Sequence, residues 1–433
     1  MLKQPLTLPR LAVVLLSAGA LAFSAPAAAQ TLRVSTLGDD ANSGATWGSA
    51  LRTLQVALAR AGSDSRINRI EIAAGIYKPG GSRSDAFSLG SGLTLAGGYP
   101  AAGGASADPD LHETILSGDI GVAGELSDNC YSILVALGVH GVRLDGLRIR
   151  YGVSLWTDAT SGPWALGGGL YAQNSGLVVT RCRFFYNLAQ RGGAVSLWSC
   201  AATFTDCVFE SNGGLYQGGA IDVQLLEQRS DILLDRCRFL GNQTVGYGGA
   251  VANMHGTLAV HNSMFSGNLA NNGGGGVYSY GATQVTRVVN SSFANNSAPS
   301  GSAYYGGGES ELVNSIFWNH SAMPSASHIA MLGSGVVHHC VVQGLATSGV
   351  VGWANLDVDP QFVDPLGSDG TAGTSDDDLH LRRLSPCVNA GDNAAVATFA
   401  ALDIDRTERV QRPTTRDPLI VDIGADEIGP LVR

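Results

Sequence analysis

Lysine is almost absent from this 433-residue chain, which contains only Lys3 and Lys78. A mechanism that needs a lysine base or a Schiff base therefore has almost no candidates. Charged residues of all kinds make up 14% of the chain, whereas hydrophobic residues make up 45%. Segments that fail to fold are usually rich in charge and poor in apolar residues. The composition therefore predicts a folded protein with a large core.

The sequence also lacks a C-x-x-C pair, although it contains seven cysteines. Structural zinc sites usually take thiolates from such closely spaced pairs, so the cysteine spacing does not indicate one. An odd number of cysteines leaves at least one thiol free, even in an oxidising compartment.

Long apolar runs are missing outside the N-terminus. Residues 1–29 combine Lys3 and Arg10, the apolar run LAVVLLSAGALAF and three alanines at 27–29. This pattern predicts a signal peptide that is cleaved after Ala29. The run is too short for a membrane anchor, which needs about 18 apolar residues. We therefore expect an exported protein, periplasmic, extracellular or associated with an outer surface, that does not span a membrane after cleavage.

Basic residues are fewer than acidic ones, 26 against 36, and the net charge is −10. Loss of a signal peptide with two basic residues and no acidic residue makes the mature chain more negative still. Such a chain is repelled by nucleic acid and by anionic membranes. Nucleic acid is therefore not an expected partner.

A phrase of the form FxxN, followed by GGA and an aliphatic residue, recurs through the middle of the chain. Its phenylalanines are spaced by 24 to 30 residues, a period that indicates stacked structural repeats. Cysteine or serine stands two positions before each phenylalanine, and asparagine stands three positions after five of the six. The aligned residues are Phe184, Phe209, Phe239, Phe265, Phe293 and Phe317.

Each repeat consists of short alternating runs separated by Gly, Asn and Ser, without a long amphipathic stretch. This punctuation is typical of strands, and three short strands with three turns account for one coil of a parallel β-helix. We therefore predict an all-β protein, a right-handed parallel β-helix with a short N-terminal capping helix. The predicted organisation is a signal peptide at 1–29, a cap and first coils at 30–120, repeated coils at 121–350 and an irregular C-terminal region at 351–433.

The capping helix is predicted from the stretch SALRTLQVALARA. Its apolar residues fall on one helical face, and the first coil of a solenoid exposes an open core and an unpaired edge that need such a cover. The apolar face consists of Leu51, Leu54, Ala57 and Leu58.

The repeated phrase resembles the repeat of the polymorphic outer membrane proteins over roughly residues 184–305, which implies a right-handed β-helix and an adhesin-type role. The two ends resemble secreted right-handed β-helix repeat proteins of the pectate-lyase-like superfold, including those with a choice-of-anchor C-terminal region. The N-terminal motifs are GDDANSGATWGSALRTLQVALARA, RIEIAAGIYKP, LTLAGGYP and ETILSGDIG, and the C-terminal motifs are DPQFVDP, SPCVNAGDN and VDIGADE.

In stacked coils, equivalent residues form ladders along the solenoid. We expect each Cys or Ser and the Phe two positions later to point inward together. Parallel in-register thiols have poor disulfide geometry, so Cys182, Cys207 and Cys237 are expected to be buried free thiols. The asparagine side chains are expected to bond to the backbone of the next coil, where turn groups would otherwise be unsatisfied.

The strand after each GGA is expected to present a row of side chains to solvent. If the first residue of this strand points inward in each repeat, from Leu170 to Tyr304, alternation turns its successor outward. The result would be a trough floored by Gly and Ala and flanked by aromatics and amides, which suits sugar rings. Ordinary packing of these side chains under loops is an equally open alternative. The candidate ligand-binding residues are Tyr171, Trp198, Asp222, Gln224, Tyr278, Tyr280 and Tyr305.

Three carboxylates in one repeat are the catalytic candidates. Asp222 lies in the middle of the expected trough, and Glu227 and Asp231 follow in the longest insertion, between Phe209 and Phe239. Hydrolysis of a glycosidic bond needs two carboxyl groups about 5 to 9.5 Å apart. A lyase would also need a base and a cation to neutralise a uronate.

An Asp/Gly-rich stretch near the C-terminus, DPLGSDGTAGTSDDDLHL, supplies hard oxygen ligands on a turning backbone. Such a stretch suits Ca²⁺, although it does not follow the EF-hand pattern, and a solvated acidic loop is the alternative. Similar runs occur in the secreted proteins that the chain resembles, which implies a structural role for the metal. The candidate calcium ligands are Asp364, Asp369, Asp376, Asp377 and Asp378.

Three functions are consistent with these patterns. The first is binding of a polysaccharide, a cell-surface glycan or another surface ligand in the trough. The second is an adhesin-like or purely structural role at a surface. The third is a polysaccharide lyase or glycoside hydrolase that acts in the trough, because a fold alone does not determine chemistry.

Overall fold

The structure is a computed structural model that describes residues 29–155, 166–281, 284–319, 327–396, 401–409 and 420–428. The predicted signal peptide lies outside these residues, apart from its last position. Within the described ranges, α-helix is confined to Leu54–Ser63. Short 3₁₀ segments occur at Trp47–Ser49, Leu126–Asp128, Leu345–Thr347 and Asn393–Ala395. The other regular elements are β-strands, so the all-β prediction is confirmed.

Successive coils of the chain contribute parallel strands to four sheets, which we number in the order in which the chain of one coil meets them. Sheet 1 has 12 strands, at Gln30–Val34, Ile67–Ala73, Thr94–Tyr99, Val142–Asp145, Gly176–Thr180, Ala201–Thr205, Ser230–Asp235, Gly256–His261, Val285–Val289, Glu309–Val313, Gly335–His338 and Gly352–Trp353. Sheet 2 has 10 strands, at Gly75–Tyr77, Thr114–Ser117, Leu147–Arg150, Arg183–Phe185, Val208–Glu210, Arg238–Leu240, Met264–Ser266, Ser292–Ala294, Ile316–Trp318 and Val341–Val342.

The coil then passes through a narrow sheet before it reaches the strand that follows GGA. Sheet 3 has five strands, at Val153–Ser154, Leu188–Arg191, Gly213–Gln217, Gln243–Thr244 and Leu269–Ala270. Sheet 4 has nine strands, at Phe87–Ser88, Leu134–Leu137, Leu170–Gln173, Val195–Trp198, Ile221–Gln224, Val251–Asn253, Val277–Ser279, Tyr304–Gly306 and Ile329–Met331. A separate antiparallel pair joins Phe362–Asp364 to Asp378–Leu381.

The glycine phrase marks the sharp turn between sheet 3 and sheet 4. Gly218 has a φ of 61°, and a Cβ built on it would lie 2.2 Å from the carbonyl oxygen of Ile221. No side chain fits at that distance, and L-residues rarely adopt this φ. The glycines therefore serve the winding of the chain.

A column of left-handed residues turns the chain from sheet 1 to sheet 2. In the later coils this position is held by Asn262, Asn290 and Asn314, with φ of 49–50°, then by His339, with φ of 51°, and Ala354, with φ of 54°. Asparagine tolerates this conformation better than most residues, because its short polar side chain bonds locally.

The phenylalanines of the repeat form a continuous stack inside the solenoid. All six are fully buried, and consecutive ring centroids lie 4.4–5.1 Å apart. This confirms the predicted inward ladder. The seven cysteines are buried and free, which confirms the prediction for Cys182, Cys207 and Cys237. Burial raises the pKa of the Cys182 thiol to about 12.

The asparagines form a second buried ladder, with a direction that differs from the expected one. From Asn212 onward, each side-chain amide donates to the carbonyl oxygen of the phenylalanine one coil earlier, as Asn242 does to Phe209 at 2.8 Å. Asn187 donates to Ile149, which is the equivalent of that phenylalanine. The amide of Asn242 also donates to the next asparagine, since its Nδ2 lies 2.9 Å from Oδ1 of Asn268. The prediction that these residues satisfy turn backbone is confirmed, but the backbone belongs to the preceding coil.

The N-terminal helix covers the first coils, as predicted. Leu54 and Ala57 are buried, and Leu58 packs against the same core from a partly buried position. Leu51 is also buried, but it precedes the helix and forms a bridge with Val34. The helix therefore begins later than the sequence pattern indicated, at Leu54, after its N-cap Thr53.

The C-terminal region packs against the outer face of sheet 2. Met264, Ala294 and Ile316 point outward from that sheet into a second apolar cluster, whose other members come from the chain beyond residue 340. Those members are Val341, Phe362, Leu379, Leu381, Cys387, Ile404, Ile423 and Ala425. The described helices are all too short or too polar to cross a lipid bilayer.

Candidate functional site

The outer face of sheet 4 is where the sequence placed a ligand-binding trough. The inward half of that prediction is confirmed, because the residues that directly follow GGA, or the equivalent GGG or GSA, are fully buried in the core. They are Leu170, Val195, Ile221, Val251, Val277 and Tyr304.

The outward half of the prediction is wrong for most positions. Tyr171, Asp222, Gln224 and Tyr278 are 4%, 0%, 6% and 6% exposed, and Trp198 is partly buried. They are covered because side chains of sheet 3 and of the same strands fold over them. Gln217, at the end of a sheet 3 strand, accepts a hydrogen bond from Nε2 of Gln224 at 2.8 Å. The packing alternative therefore holds along this part of the sheet.

Asp222 lies at the centre of a buried polar network. Its Oδ1 accepts from Nε2 of Gln224 at 2.9 Å, and Ser196, on the preceding coil, lies 3.5 Å from Oδ2. Arg191 reaches the same network by donating to Oε1 of Gln217 at 2.7 Å. Burial raises the pKa of Asp222 to about 7, although the Gln224 hydrogen bond and the Arg191 charge oppose the rise.

The structure does not bring the other two catalytic candidates to Asp222. Glu227 is exposed in the turn at residues 225–229, where its backbone N–H donates to Oγ of Ser199 at 3.0 Å. Asp231 is exposed on a sheet 1 strand, opposite Ala201. The insertion carries the chain around the corner from sheet 4 to sheet 1, so the three carboxylates face different surroundings. Among the described residues, the hydrogen-bond partners of the Asp222 carboxylate are Gln224 and Ser196.

Four tyrosines lie together at the sheet 4 face, and we call them the tyrosine cluster: Tyr247, Tyr278, Tyr280 and Tyr305. The ring of Tyr278 lies between two others, with its centroid 4.6 Å from that of Tyr247 and 4.8 Å from that of Tyr305. Tyr280 lies 6.0 Å from Tyr278. Tyr247 and Tyr280 are 37% and 46% exposed, and Tyr305 is partly exposed.

Tyr247 was not predicted from the sequence, because the prediction covered only the strand after GGA. It stands directly before Gly248 in the turn from sheet 3, and it pairs with Gln217 and Gly273 on the neighbouring coils. The signal was available, because the residue at this turn position is Arg191, Gln217 or Tyr247 in successive repeats. This column therefore borders the face of sheet 4 on one side.

Two of the five aspartates predicted to bind calcium, Asp376 and Asp377, accept several hydrogen bonds. Asp376 accepts from the backbone and hydroxyl of Ser368, both at 2.7 Å, and from the hydroxyl of Thr374. These bonds hold the pKa of Asp376 well below its usual range. Asp377 accepts from Ser266 on sheet 2 and from the backbone N–H of Gly373. These bonds fold the loop and fasten it to the solenoid.

The remaining three aspartates do not converge with them. Asp378 accepts from the backbone N–H of His380, Asp369 accepts from Thr371, and Asp364 is exposed at the end of its strand. Within the described ranges, two other groups of three place ligand atoms within 4.8 Å of one another: His338, His339 and Asp392, and His380, Asp405 and Asp426. Calcium binding by the Asp/Gly-rich loop stays a prediction.

The comparison with protein families agrees with the strand pairing. The family model described as "Right handed beta helix region" matches residues 132–317, the part of the chain that carries the phenylalanine stack. The fold is a right-handed parallel β-helix. Among curated protein sequences, no match was found.

Three solved structures illustrate the similarity of this β-helix to known folds. The crystal structure of pectate lyase Pel9A has a TM-score of 0.44 at 11% identity, with 92% of this chain and 96% of that chain covered. A rhamnogalacturonan lyase has a TM-score of 0.38 at 10% identity, with 78% and 91% covered. The complex of XylC with xylose has a TM-score of 0.32 at 9% identity, with 93% and 99% covered. These likenesses do not extend beyond the fold.

Proposed function

We propose that this protein is exported and that it binds a polysaccharide or a cell-surface glycan at the tyrosine cluster. The observation that carries the proposal is the exposure of Tyr247 and Tyr280, 37% and 46%, beside the ring of Tyr278. Exposed aromatic rings that lie side by side on a rigid sheet are uncommon without a ligand to cover them. The apolar C–H faces of sugars pack on such rings while their hydroxyls bond to the polar rim.

The arrangement of the rings assigns different roles to the four tyrosines. Both faces of Tyr278 are occupied by Tyr247 and Tyr305, and its side chain is 6% exposed. Tyr278 therefore spaces its neighbours and does not contact the ligand directly. The open face belongs to Tyr280, and the hydroxyl ends of Tyr247 and Tyr305 supply donors and acceptors beside it.

The position on the solenoid fits an extended ligand. Neighbouring coils repeat at about 4.8 Å, and the cluster takes residues from three successive coils. Towards the N-terminus the same face continues into Gln224 and Trp198, which are less exposed. A chain of sugar units lying along the solenoid axis would pass from the tyrosines towards these amide and indole groups.

A binding panel of neutral and acidic polysaccharides tests the proposal. We expect Tyr280→Ala and Tyr247→Ala each to weaken binding of the ligand by about 10-fold or more, as lost aromatic stacking does elsewhere. Tyr186→Ala is the matched control, because Tyr186 is 48% exposed but stacks on Tyr151, outside the cluster. Equal affinity in all three variants would remove the tyrosine cluster as the binding site.

The same panel separates the other functions. Release of reducing ends or of unsaturated products would indicate a glycoside hydrolase or a polysaccharide lyase, and Asp222→Asn would then be the first variant to assay. Absence of both binding and products would indicate an adhesin-like role towards a protein, or a structural role. Export is checked independently by the N-terminal sequence of the mature protein, which we expect to begin at Gln30.

We extend the proposal to structural calcium at the Asp/Gly-rich loop. The support is the density of oxygen donors between Asp364 and Asp378, which suits a hard cation. A ligand that binds only the folded state raises its stability, so millimolar Ca²⁺ should raise the thermal midpoint relative to EGTA. Asp369→Asn should reduce that rise, and an unchanged midpoint in wild type would contradict the proposal.

A further inference from the structure

Two adjacent histidines lie at the turn between sheet 1 and sheet 2, one coil before the last left-handed residue of that column, Ala354. His338 is the last residue of its sheet 1 strand, and His339 follows in the left-handed turn with a φ of 51°. In the three preceding coils, this turn position holds Asn262, Asn290 or Asn314. The left-handed turn brings the two imidazole rings close together, with their Nδ1 atoms 3.2 Å apart.

That separation is the spacing of two ligands on one metal ion. In a tetrahedral zinc site with Zn–N bonds of about 2.0–2.1 Å, two nitrogen ligands lie about 3.4 Å from each other. Asp392 completes a group of three, because one ligand atom from each of the three residues lies within 4.8 Å of the other two. Two imidazoles and one carboxylate are a donor set that zinc and related divalent metals accept.

A carboxylate lies on the Nε2 side of His338, opposite the Nδ1 atom that faces His339. Its Nε2 lies 3.6 Å from Oε1 of Glu311, and Glu311 is held in turn by Nε of Arg287 at 2.6 Å. A carboxylate behind an imidazole keeps the proton on that nitrogen and leaves the other lone pair for a metal. The ring plane is fixed as well, because Trp353 stacks on His338 at 4.6 Å with an interplanar angle of 11°.

The carboxylate ligand is positioned by the docking of the C-terminal region. Asn314 donates from Nδ2 to the carbonyl oxygen of Asp392 at 3.0 Å, and its Oδ1 accepts from the Asp392 backbone N–H at 2.7 Å. Three residues further on, Ala395 packs against Val289 and Val313 on the outer side of sheet 1. The backbone of Asp392 is therefore pinned one coil before the histidine pair.

We infer that His338, His339 and Asp392 form a binding site for a divalent transition metal of the zinc type, with Glu311 as the positioning residue behind His338. Three protein ligands leave a fourth position for water or for an exogenous group. His339 and Asp392 are partly exposed, so the metal has a path from solvent. The ion would join the coil of His338 and His339 to the C-terminal region, which otherwise depends on hydrogen bonds and packing at this point.

Zinc titration of the full chain, after treatment with a chelator, tests the inference. We expect one equivalent of Zn²⁺ to bind, with His339→Asn and Asp392→Asn each weakening the affinity by about 100-fold. Asparagine occupies the equivalent turn position in three preceding coils, so His339→Asn should leave the fold intact, as far-UV circular dichroism will show. Glu311→Gln should weaken the affinity by about 10-fold or more, as loss of an outer-shell carboxylate does.

His380→Gln is the matched control, since His380 belongs to the second group of three, with Asp405 and Asp426. The affinity of the His380→Gln variant for Zn²⁺ should equal that of the wild-type protein. Co²⁺ supplies a second readout, because binding next to His338 should quench the fluorescence of the stacked Trp353 and give the visible bands of a four-coordinate ion. The inference would be overturned if His339→Asn bound Zn²⁺ with unchanged affinity, or if His380→Gln lost affinity instead. It would also be overturned if the protein showed no stoichiometric binding at 100 µM Zn²⁺.

Discussion

The side chain of Asn242 donates from Nδ2 to Oδ1 of Asn268, one coil further along the solenoid, at 2.9 Å. The same Nδ2 donates to the carbonyl oxygen of Phe209 at 2.8 Å, and Oδ1 of Asn242 accepts from the backbone N–H of Asn212 at 3.1 Å. One buried amide thus joins three consecutive coils. The phenylalanine stack and the asparagine ladder both pass through the repeat that contains Asn242. Each coil is therefore stabilised by its contacts with the neighbouring coils.

Replacement of Asn242 by alanine should therefore weaken the whole repeat region. It leaves buried donors and acceptors unsatisfied on both neighbouring coils, at a cost of about 1–3 kcal/mol each, and we expect a total loss of roughly 3–5 kcal/mol. The urea midpoint followed by circular dichroism measures it. Asn271→Ala is the control, because Asn271 is exposed. Equal midpoints for the two variants would show that the ladder does not stabilise the fold.

The sequence predicts the fold well because the repeat encodes contacts between neighbouring coils. Stacking requires the same residue type at the same position in each coil. The sequence therefore shows a regular spacing of the phenylalanines, from Phe184 to Phe317, and of the asparagines of the ladder. Their inward orientation then follows from strand alternation. The capping helix is similarly visible as an amphipathic pattern, and only its starting residue, after Leu51, was misplaced.

The candidate site is less predictable because it depends on contacts between different sheets. Strand alternation correctly predicts that the Asp222 side chain points away from the core. It does not predict that Gln217 of sheet 3 and Gln224 cover that side chain. Tyr247 enters the tyrosine cluster from a turn, where no strand period applies. His338 and His339 meet Asp392 only through the docking of the C-terminal region, which has no repeat to reveal its register.

Asp222 predicts a pH dependence of stability. Burial raises its pKa to about 7 from an ordinary value of 3.8, so the folded state binds this proton more tightly than the unfolded chain. The stability from this group is full below about pH 4 and is lost as the pH rises through 7. Asp222→Asn removes the ionisable group and should be more stable than wild type at pH 8, by about 2–4 kcal/mol.

Denaturant midpoints of Asp222→Asn and wild type between pH 4 and pH 8 measure this effect. The two proteins should be similar at pH 4 and diverge as the pH rises. Asp231→Asn controls for general charge effects, because Asp231 is an exposed aspartate nine residues after Asp222. A constant difference across this pH range would contradict the buried, proton-binding role of Asp222.

The cysteines predict slow thiol chemistry in the folded protein. Burial raises the pKa values of Cys182 and Cys340 to about 12, and the thiolate is the reactive form. A chromogenic disulfide reagent at pH 8 should therefore react with almost no thiol in the native protein and with all seven after unfolding in guanidinium. A count below seven in the unfolded, unreduced protein would reveal a disulfide, and rapid reaction of the native protein would contradict the burial.

Arg409 holds the C-terminal region to the solenoid. It is 1% exposed, donates to Oδ1 of Asn262 at 3.1 Å and lies 3.7 Å from Oε2 of Glu427. Asp422 and Glu427 belong to the VDIGADE motif, and burial raises their pKa values to about 6 and about 8. Arg409 is the buried cation that offsets their charge, so the motif is structural.

Replacement of Arg409 by methionine should release the C-terminal region while the coils remain folded. Removal of one partner of a buried ion pair typically costs about 3–5 kcal/mol. The loss of stability should be larger at pH 9 than at pH 5.5, because Asp422 and Glu427 carry charge above their pKa values of about 6 and about 8 and would then be buried without a cation.

Limited proteolysis should cut the variant near residues 351–360 at pH 9 and leave a β-rich fragment. Arg382→Met, at an exposed arginine of the same region, should resist cleavage like wild type. Equal resistance of Arg409→Met at pH 9 would show that packing alone holds the C-terminal region on sheet 2.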